Sequence, residues 1–263
     1  MKEYKTIEYK ETNDVVTISL NKPGKRNAFN DEMIHELKDV FRKISDNPSI
    51  RAMILQGKGE VFSAGADLNW MKKMKEFSYE ENLKDSENLQ ELFETLYSLP
   101  VTTISKIHGA CIGGAIGLAA ASDIVLAKED TLFRFGEVKL GLIPATIAPY
   151  VLQRTGLHPV KSYMLTGMNF YTDDALRMRL IDYSGSKESI DTKLDIILKE
   201  LSKNSPEAVR STKDMLKKIT QTDDEKQTKD LTIELIAKAR ISKDGQERMA
   251  TFLEKSKARR RQN

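Results

Sequence analysis

Cysteine is almost missing from this 263-residue chain, which holds only Cys111. A single cysteine excludes an intramolecular disulfide and a cysteine-cluster zinc site, and suits a reducing compartment. Histidine is nearly as scarce: His35, His108 and His158 are scattered, and no metal is expected from them. The opening Met-Lys-Glu-Tyr-Lys is charged and then alternates, without the apolar core of a signal peptide. The longest weakly polar stretch, Gly109 to Ala121, is about a dozen residues against the roughly 20 that a membrane helix needs. A strong charge of one sign is absent as well, since 42 Lys plus Arg nearly balance 39 Asp plus Glu. The whole surface is therefore no polyanion binder. These absences predict a cytoplasmic protein with no membrane segment.

What is present is periodic. Tyr4 to Glu8 and Val15 to Leu20 alternate on either side of the polar Thr12-Asn13-Asp14, which predicts a hairpin. Met33, Ile34, Leu37, Val40, Phe41 and Ile44 recur at three- and four-residue steps, the mark of an amphipathic helix, and Ala52 to Leu55 follows as a buried strand. Ser78 and Glu81 have capping-box spacing ahead of the stripe Leu89, Leu92, Phe93 and Leu96, which Pro100 stops. Val101 to Ile107 and Ile124 to Ala127 read as strands, so the order is α/β. Beyond Asp182-Tyr183 the apolar patterns are all helical, among them Ile190, Leu194, Ile197, Leu198 and Leu201. Ser205-Pro206 starts another helix, and the basic tail Lys255 to Asn263 is expected to fray.

Two glycine-bearing turns carry chemical interest, Ala64-Gly65-Ala66-Asp67 and Gly113-Gly114, each expected to end a strand and open a helix. The first N–H groups of a helix lack internal partners and sit at its positive end, so two such groups can converge on one oxygen. Backbone donors aimed at developing negative charge are among the largest catalytic contributions. Packing of helices through small residues is the plainer reading of Gly-Gly. The spacing fits neither a dinucleotide fingerprint nor a phosphate-binding P-loop. Glu137 lies in Phe135-Gly136-Glu137-Val138-Lys139-Leu140, where apolar neighbours would raise its pKa toward the range useful for proton transfer. An ion pair with Arg134 or Lys139 is the alternative.

Taken in order, Asn21-Lys22-Pro23 with Asn27-Ala28, Phe62 to Leu68, Gly109 with Gly113-Gly114, and Phe135-Gly136-Glu137 to Pro144 resemble the crotonase superfamily, nearly end to end. Asp67 to Met71 and Leu140 to Ala145 look most like its enoyl-CoA and methylglutaconyl-CoA hydratase-like branch. The resemblance implies an α/β spiral of ββα turns over residues 1–200 and a helical region, 201–263, that packs subunits into a trimer or a dimer of trimers. It implies an acyl-CoA thioester as partner, with coenzyme A part of the substrate and no separate cofactor. Its oxyanion hole falls on the N–H groups of Ala66 and Gly114, and its acid/base on Glu137. Substrate contacts fall on Lys25, Arg26, Ala28, Ala64, Asp67, Leu68, Gly113 and Gly117, with basic residues near Phe252 and Lys255 reaching the CoA of a neighbouring subunit.

One departure bears on the reaction. Hydratases of the two-glutamate type carry a Glu three residues beyond the second glycine of the oxyanion hole, where this chain has Gly117. The expected activity is hydration of a 2-enoyl-CoA, with Asn69, His108, Ser122 and Thr146 as polar candidates to hold the water. A Δ3-Δ2-enoyl-CoA isomerase needs a single carboxylate and is the alternative enzyme. A CoA- or RNA-binding protein without turnover, suggested by Arg259-Arg260-Arg261, is the alternative from another class, although nucleic acid is not an expected partner.

Overall fold

The computed structural model describes residues 3–260. Strands β1 (Ile7–Thr12) and β2 (Val15–Leu20) form the hairpin, paired from Ile7 with Leu20 to Thr12 with Val15. The first strand thus begins later than Tyr4. Its register is set by a two-residue turn in which Asn13 takes φ 57°, a left-handed conformation that asparagine tolerates.

After the hairpin the chain winds in ββα turns. Strands β3 (Ala52–Gly57), β4 (Thr102–Ile107), β6 (Ile124–Lys128) and β9 (Tyr183–Gly185) extend β2 in parallel, giving a six-stranded sheet in the order β1-β2-β3-β4-β6-β9. The brief strands β5 (Ala110–Ile112), β7 (Leu132–Arg134) and β8 (Phe170–Tyr171) form a second sheet. Each turn therefore places one strand in the large sheet and its next extended piece in the small one. In the earlier turns that second piece is reduced to single bridges, Phe29 with Ala66 and Ser63 with Cys111. Periodicity does not reveal such short pieces, nor β9, which falls where the pattern reads as helical.

Helices close the turns. Helix α1 (Asp31–Ser45) starts at Asn30, whose side chain accepts the Met33 N–H, and buries the predicted Met33–Ile44 stripe. The short α2 (Leu68–Met74) starts at Asp67. Helix α3 (Tyr79–Tyr97) opens with the expected capping box, Ser78 and Glu81 each accepting the other's backbone N–H, and buries Leu92, Phe93 and Leu96. Helix α4 (Gly114–Ala121) is buried from Ala115 onward and is built of small and aliphatic residues on every face, as a fully enclosed helix must be. Helices α5 (Ala148–Thr155), α6 (Leu157–Thr166) and α7 (Thr172–Arg177) complete the last turn.

The chain divides into two compact units after Leu201. In the first, one cluster holds Phe41, Phe62, Phe93, Phe133 and Phe170, and a smaller one packs Ile190 and Leu194 of α8 (Lys187–Lys203) on Ile54, Ile104 and Leu126. The second unit contains α9 (Pro206–Thr220), α10 (Glu225–Ile241) and α11 (Lys243–Arg260). Helix α11 continues through the stretch expected to fray as far as Arg260, and Arg261 to Asn263 lie outside the described residues. No residue of α9 or α10 is buried, and Leu216, Ile233, Ile236, Ile241 and Phe252 stand exposed. No described helix is long and apolar enough to cross a membrane.

Candidate active site

The site begins in the loop after β2. Asn27 adopts φ 54° and is fully buried; its amide donates to the Lys58 and Val61 carbonyls at 2.8 and 2.9 Å and its oxygen accepts the Lys22 N–H. These bonds fold Pro23–Arg26 outward, leaving Lys25 and Arg26 exposed and Ala28 buried. Lys25 Nζ reaches Asp67 Oδ2 at 3.1 Å.

Asp67 is buried and faces inward. Its Oδ1 accepts the Asn69 and Trp70 N–H groups at the start of α2. Burial by itself would raise its pKa, but the Lys25 ammonium and those two N–H groups outweigh it and hold the carboxyl below the usual aspartate range. What Asp67 offers an anion is therefore a fixed Lys25, not its own oxygens. Leu68, the first residue of α2, is exposed, and Ala64 donates its N–H to the Arg26 carbonyl at 2.9 Å.

Around Ala66 the backbone donors are accounted for one by one. The Gly65 N–H goes to Ser63 Oγ at 3.2 Å and that of Asp67 to the Phe29 carbonyl at 2.7 Å. The bridge is completed by the Phe29 N–H, which donates to the Gly65 carbonyl at 2.7 Å; the Ala66 N–H points the opposite way across that same trans peptide, faces away from Phe29 and meets no acceptor among the described residues. Gly114 stands likewise at the start of α4: the Gly113 N–H donates to the Arg134 carbonyl at 2.9 Å, while that of Gly114 has no acceptor among the described residues. Phe29 brings the two together, since its backbone brackets Ala66 and its ring lies 3.3 Å from where a Cβ on Gly114 would stand.

Glu137 enters from a single 3-10 turn, Glu137–Leu140, after β7. Its Oε1 is 3.3 Å from the position of a Cβ on Gly113, whose φ of 56° itself calls for glycine. Its Oε2 is buried with no hydrogen-bond partner, and no ion pair to Arg134 or Lys139 forms among the described residues. Burial pushes the Glu137 carboxyl above the usual glutamate range, its own backbone N–H countering only in part.

Ala66, Gly114 and Glu137 share the wall of one cavity of about 620 Å³. The rest of its lining is largely apolar, from Trp70, Met71 and Met74 of α2, Leu89 of α3, and the loop Leu142 to Ile147. Gly117 does not reach this cavity. It lies buried in α4, and a Cβ there would overlap Ile147 Cγ2 and approach the Phe93 ring to 2.8 Å. The space of a second glutamate is filled by two apolar side chains.

Of the polar candidates, Thr146 alone lines the cavity. His108 is bonded to the Gly59 carbonyl, and Ser122 is buried against Ser105 and the Leu118 carbonyl. Asn69 lies exposed on α2 and is not part of the wall. Trp70, Asn82, Asp85 and Ser86 do line the cavity and escaped sequence reasoning. The spacing of the last three at successive helical steps toward the start of α3 was the available signal. Phe252 and Lys255 are exposed on α11, in the second unit. Among the described residues no group of three His, Cys, Asp or Glu could hold a metal ion.

The chain is similar in sequence and fold to known proteins. The profile of the enoyl-CoA hydratase/isomerase family matches residues 10–263. A crystal structure of an enoyl-CoA hydratase from Shewanella pealeana superimposes with a TM-score of 0.92 at 36% identity, covering 96% of this chain and 95% of that one. A Thermus thermophilus protein provisionally named as an enoyl-CoA hydratase is 31% identical over 78% of this chain and 81% of its own length. The human mitochondrial Delta(3,5)-Delta(2,4)-dienoyl-CoA isomerase is 32% identical over 76% of this chain, a match that spans 64% of that protein. With the family profile covering nearly the whole chain and the spiral of ββα turns matching solved relatives, the chain belongs to the enoyl-CoA hydratase/isomerase family of the crotonase superfamily.

Proposed function

We propose that the protein hydrates a 2-enoyl-CoA thioester through an enolate held in the cavity, with Glu137 as the acid/base. The observation that carries this reading is a half-buried carboxylate, its Oε2 enclosed without a partner, on the same cavity wall as two backbone N–H groups that have no acceptor among the described residues. The Ala66 and Gly114 N–H groups receive the thioester oxygen, so that negative charge can build there as bonds change at C2 and C3. Burial raises the Glu137 pKa in the direction that makes its carboxylate a better proton acceptor. On this reading exposed Lys25 and Arg26 supply cations for the phosphates of coenzyme A, and no separate cofactor is required.

Water must be held without a second glutamate. Thr146 is the hydroxyl available, next in the chain to the Ile147 that fills the space over Gly117. That same apolar filling favours a second reading, a Δ3-Δ2-enoyl-CoA isomerase, which moves a proton from C4 to C2 on one carboxylate and needs no bound water. The exposed apolar residues of α9 and α10 support a homotrimer or a dimer of trimers, in which another copy covers them.

The deciding experiment compares short 2-enoyl-CoA, 3-enoyl-CoA and 3-methylglutaconyl-CoA with the parent, Glu137→Gln and Thr146→Val. Hydration predicts turnover of a 2-enoyl thioester, lost in Glu137→Gln and weakened in Thr146→Val. Turnover of 3-enoyl substrates alone, indifferent to Thr146, selects isomerisation. Full activity in Glu137→Gln removes both readings.

A further inference from the structure

Along the inner face of α3 the cavity changes character. Leu89 is apolar, but Ser86, Asp85 and Asn82, one and two turns nearer the helix start, are polar and all line the wall. Phe93, which packs at Gly114 and Gly117, lies eight residues beyond Asp85, roughly 12 Å along the helix axis. The polar group thus lies toward the opposite end of α3 from the residue that packs at Gly114, and no part in the chemistry at C2 or C3 is assigned to it.

Asn82 and Asp85 present acceptors, while the Ser86 hydroxyl can either donate or accept. Both hydrogens of the Asn82 amide are used, donated to the Phe77 and Ser78 carbonyls at 3.1 and 3.0 Å, which leaves the amide oxygen as an acceptor. Asp85 Oδ1 accepts the indole N–H of buried Trp70 at 3.3 Å, and its second oxygen has no partner among the described residues. Asp31 adds a second negative charge near Asp85. The one cation on the wall, Lys75 at the end of α2, is exposed and makes no ion pair among the described residues.

From this excess of acceptors we propose that the cavity takes an acyl chain carrying a hydroxyl group several carbons from the thioester, which donates to Asp85 with Asn82 and Ser86 beside it. The proposal rests on the reading of the cavity as an acyl-CoA site and names the chemistry of its far end. An aliphatic terminus would cover the second oxygen of the half-buried Asp85 and give it no hydrogen-bond partner. A carboxylate terminus would face Asp85 and Asp31.

Binding of saturated acyl-CoA thioesters tests this independently of the reaction catalysed. A medium-length series with terminal methyl, hydroxyl or carboxylate is titrated by calorimetry and by the fluorescence of Trp70, the only tryptophan in the chain. The hydroxyl-ended chain is expected to bind about tenfold more tightly than its methyl counterpart and to shift the Trp70 emission more, the modest factor reflecting partial exposure of Asp85. Asp85→Leu should erase that preference, and Asp85→Asn, which keeps an acceptor, should reduce it to a few-fold. If methyl- and hydroxyl-ended chains bind equally, or the preference survives Asp85→Leu, the far-end subsite is refuted while the acyl-CoA site stands. If the carboxylate-ended chain binds best, Lys75 governs the far end and the proposal is wrong. If no thioester binds, the reading of the cavity fails and the subsite falls with it.

Discussion

Gly117→Ala tests the packing that separates this site from a two-glutamate one. Position 117 is in the interior of α4, where alanine improves on glycine by about 1 kcal/mol through helix propensity. Against that, the new methyl would overlap Ile147 Cγ2 and come within 2.8 and 2.9 Å of the Phe93 ring. Phe93 and Ile147 are both essentially inaccessible to solvent, and neither contact is the far end of a flexible chain, so neither can step aside cheaply. Overpacking of this kind costs about 1–3 kcal/mol, and two rigid neighbours place the case in the upper half. The net expectation is a loss of about 1–2 kcal/mol, or a melting temperature lower by roughly 3–6 °C in a chain of this size. Ile147→Ala on its own destabilises by leaving a cavity, but in that background Gly117→Ala should cost less, since only the Phe93 contact remains, a coupling of about 1–2 kcal/mol in a double-mutant cycle. Urea unfolding of the four proteins is the assay. A Gly117→Ala variant as stable as the parent, with no coupling to Ile147, would show that the space is empty and that a second acid could be installed there at will.

Glu137→Gln should lower turnover by about a hundredfold to ten-thousandfold in a steady-state assay while raising stability at neutral pH by about 1 kcal/mol. A carboxyl whose pKa is raised by folding contributes stability that is present below its unfolded pKa and lost as pH rises through the folded one. The advantage of the glutamine variant, read by urea unfolding, should therefore grow from acid toward neutral pH. Asp67→Ala removes a helix cap and the anchor of Lys25 and should cost about 1–2 kcal/mol at neutral pH. Its depressed pKa contributes stability that is lost as pH falls through the folded value, so the deficit measured by thermal melts should shrink on acidification. Asn27→Ala strands three backbone groups, the Val61 carbonyl buried and the Lys22 N–H and Lys58 carbonyl partly so, and should cost about 2–3 kcal/mol in equilibrium unfolding. Gly113→Ala forces a side chain into the left-handed region beside Glu137 Oε1 and should lower both stability, by about 1–2 kcal/mol, and turnover.

The elements legible in the sequence were those with a long repeat or a local cap. The α1 stripe from Met33 to Ile44 and the Ser78–Glu81 capping box are produced by neighbours in the chain, so they read directly. The small sheet did not read, because strands of two or three residues such as Phe170–Tyr171 carry no period and exist only where a distant strand supplies the ladder. Within the site, Glu137 and the two glycine turns stood out by residue type and context. That Gly117 is enclosed by Phe93 and Ile147 could not be read, since the three meet only when α3, α4 and the loop before α5 converge. Asp85 was passed over for the same reason: one more acid on a charged helix becomes notable only once Trp70 of another helix donates to it.

The two candidate oxyanion donors have a common structural origin. In a spiral of ββα turns the second strand of each turn carries the chain from sheet to helix, and its last residues belong fully to neither. A long second strand would engage every amide in a ladder. Here the strand is cut short, to a bridge at Ala66 and to Ala110–Ile112 before Gly114, so that one N–H per turn is left between ladder and helix. Phe29, pinned on both sides of Ala66 and lying on Gly114, then fixes how far apart the two turns can stand. The positions of the free donors are thus a property of strand length and of one aromatic side chain, which is why small residues suffice at both. On the proposed function a side chain is required only where a proton must move, and there the fold leaves Glu137 with its Oε2 enclosed and without a partner.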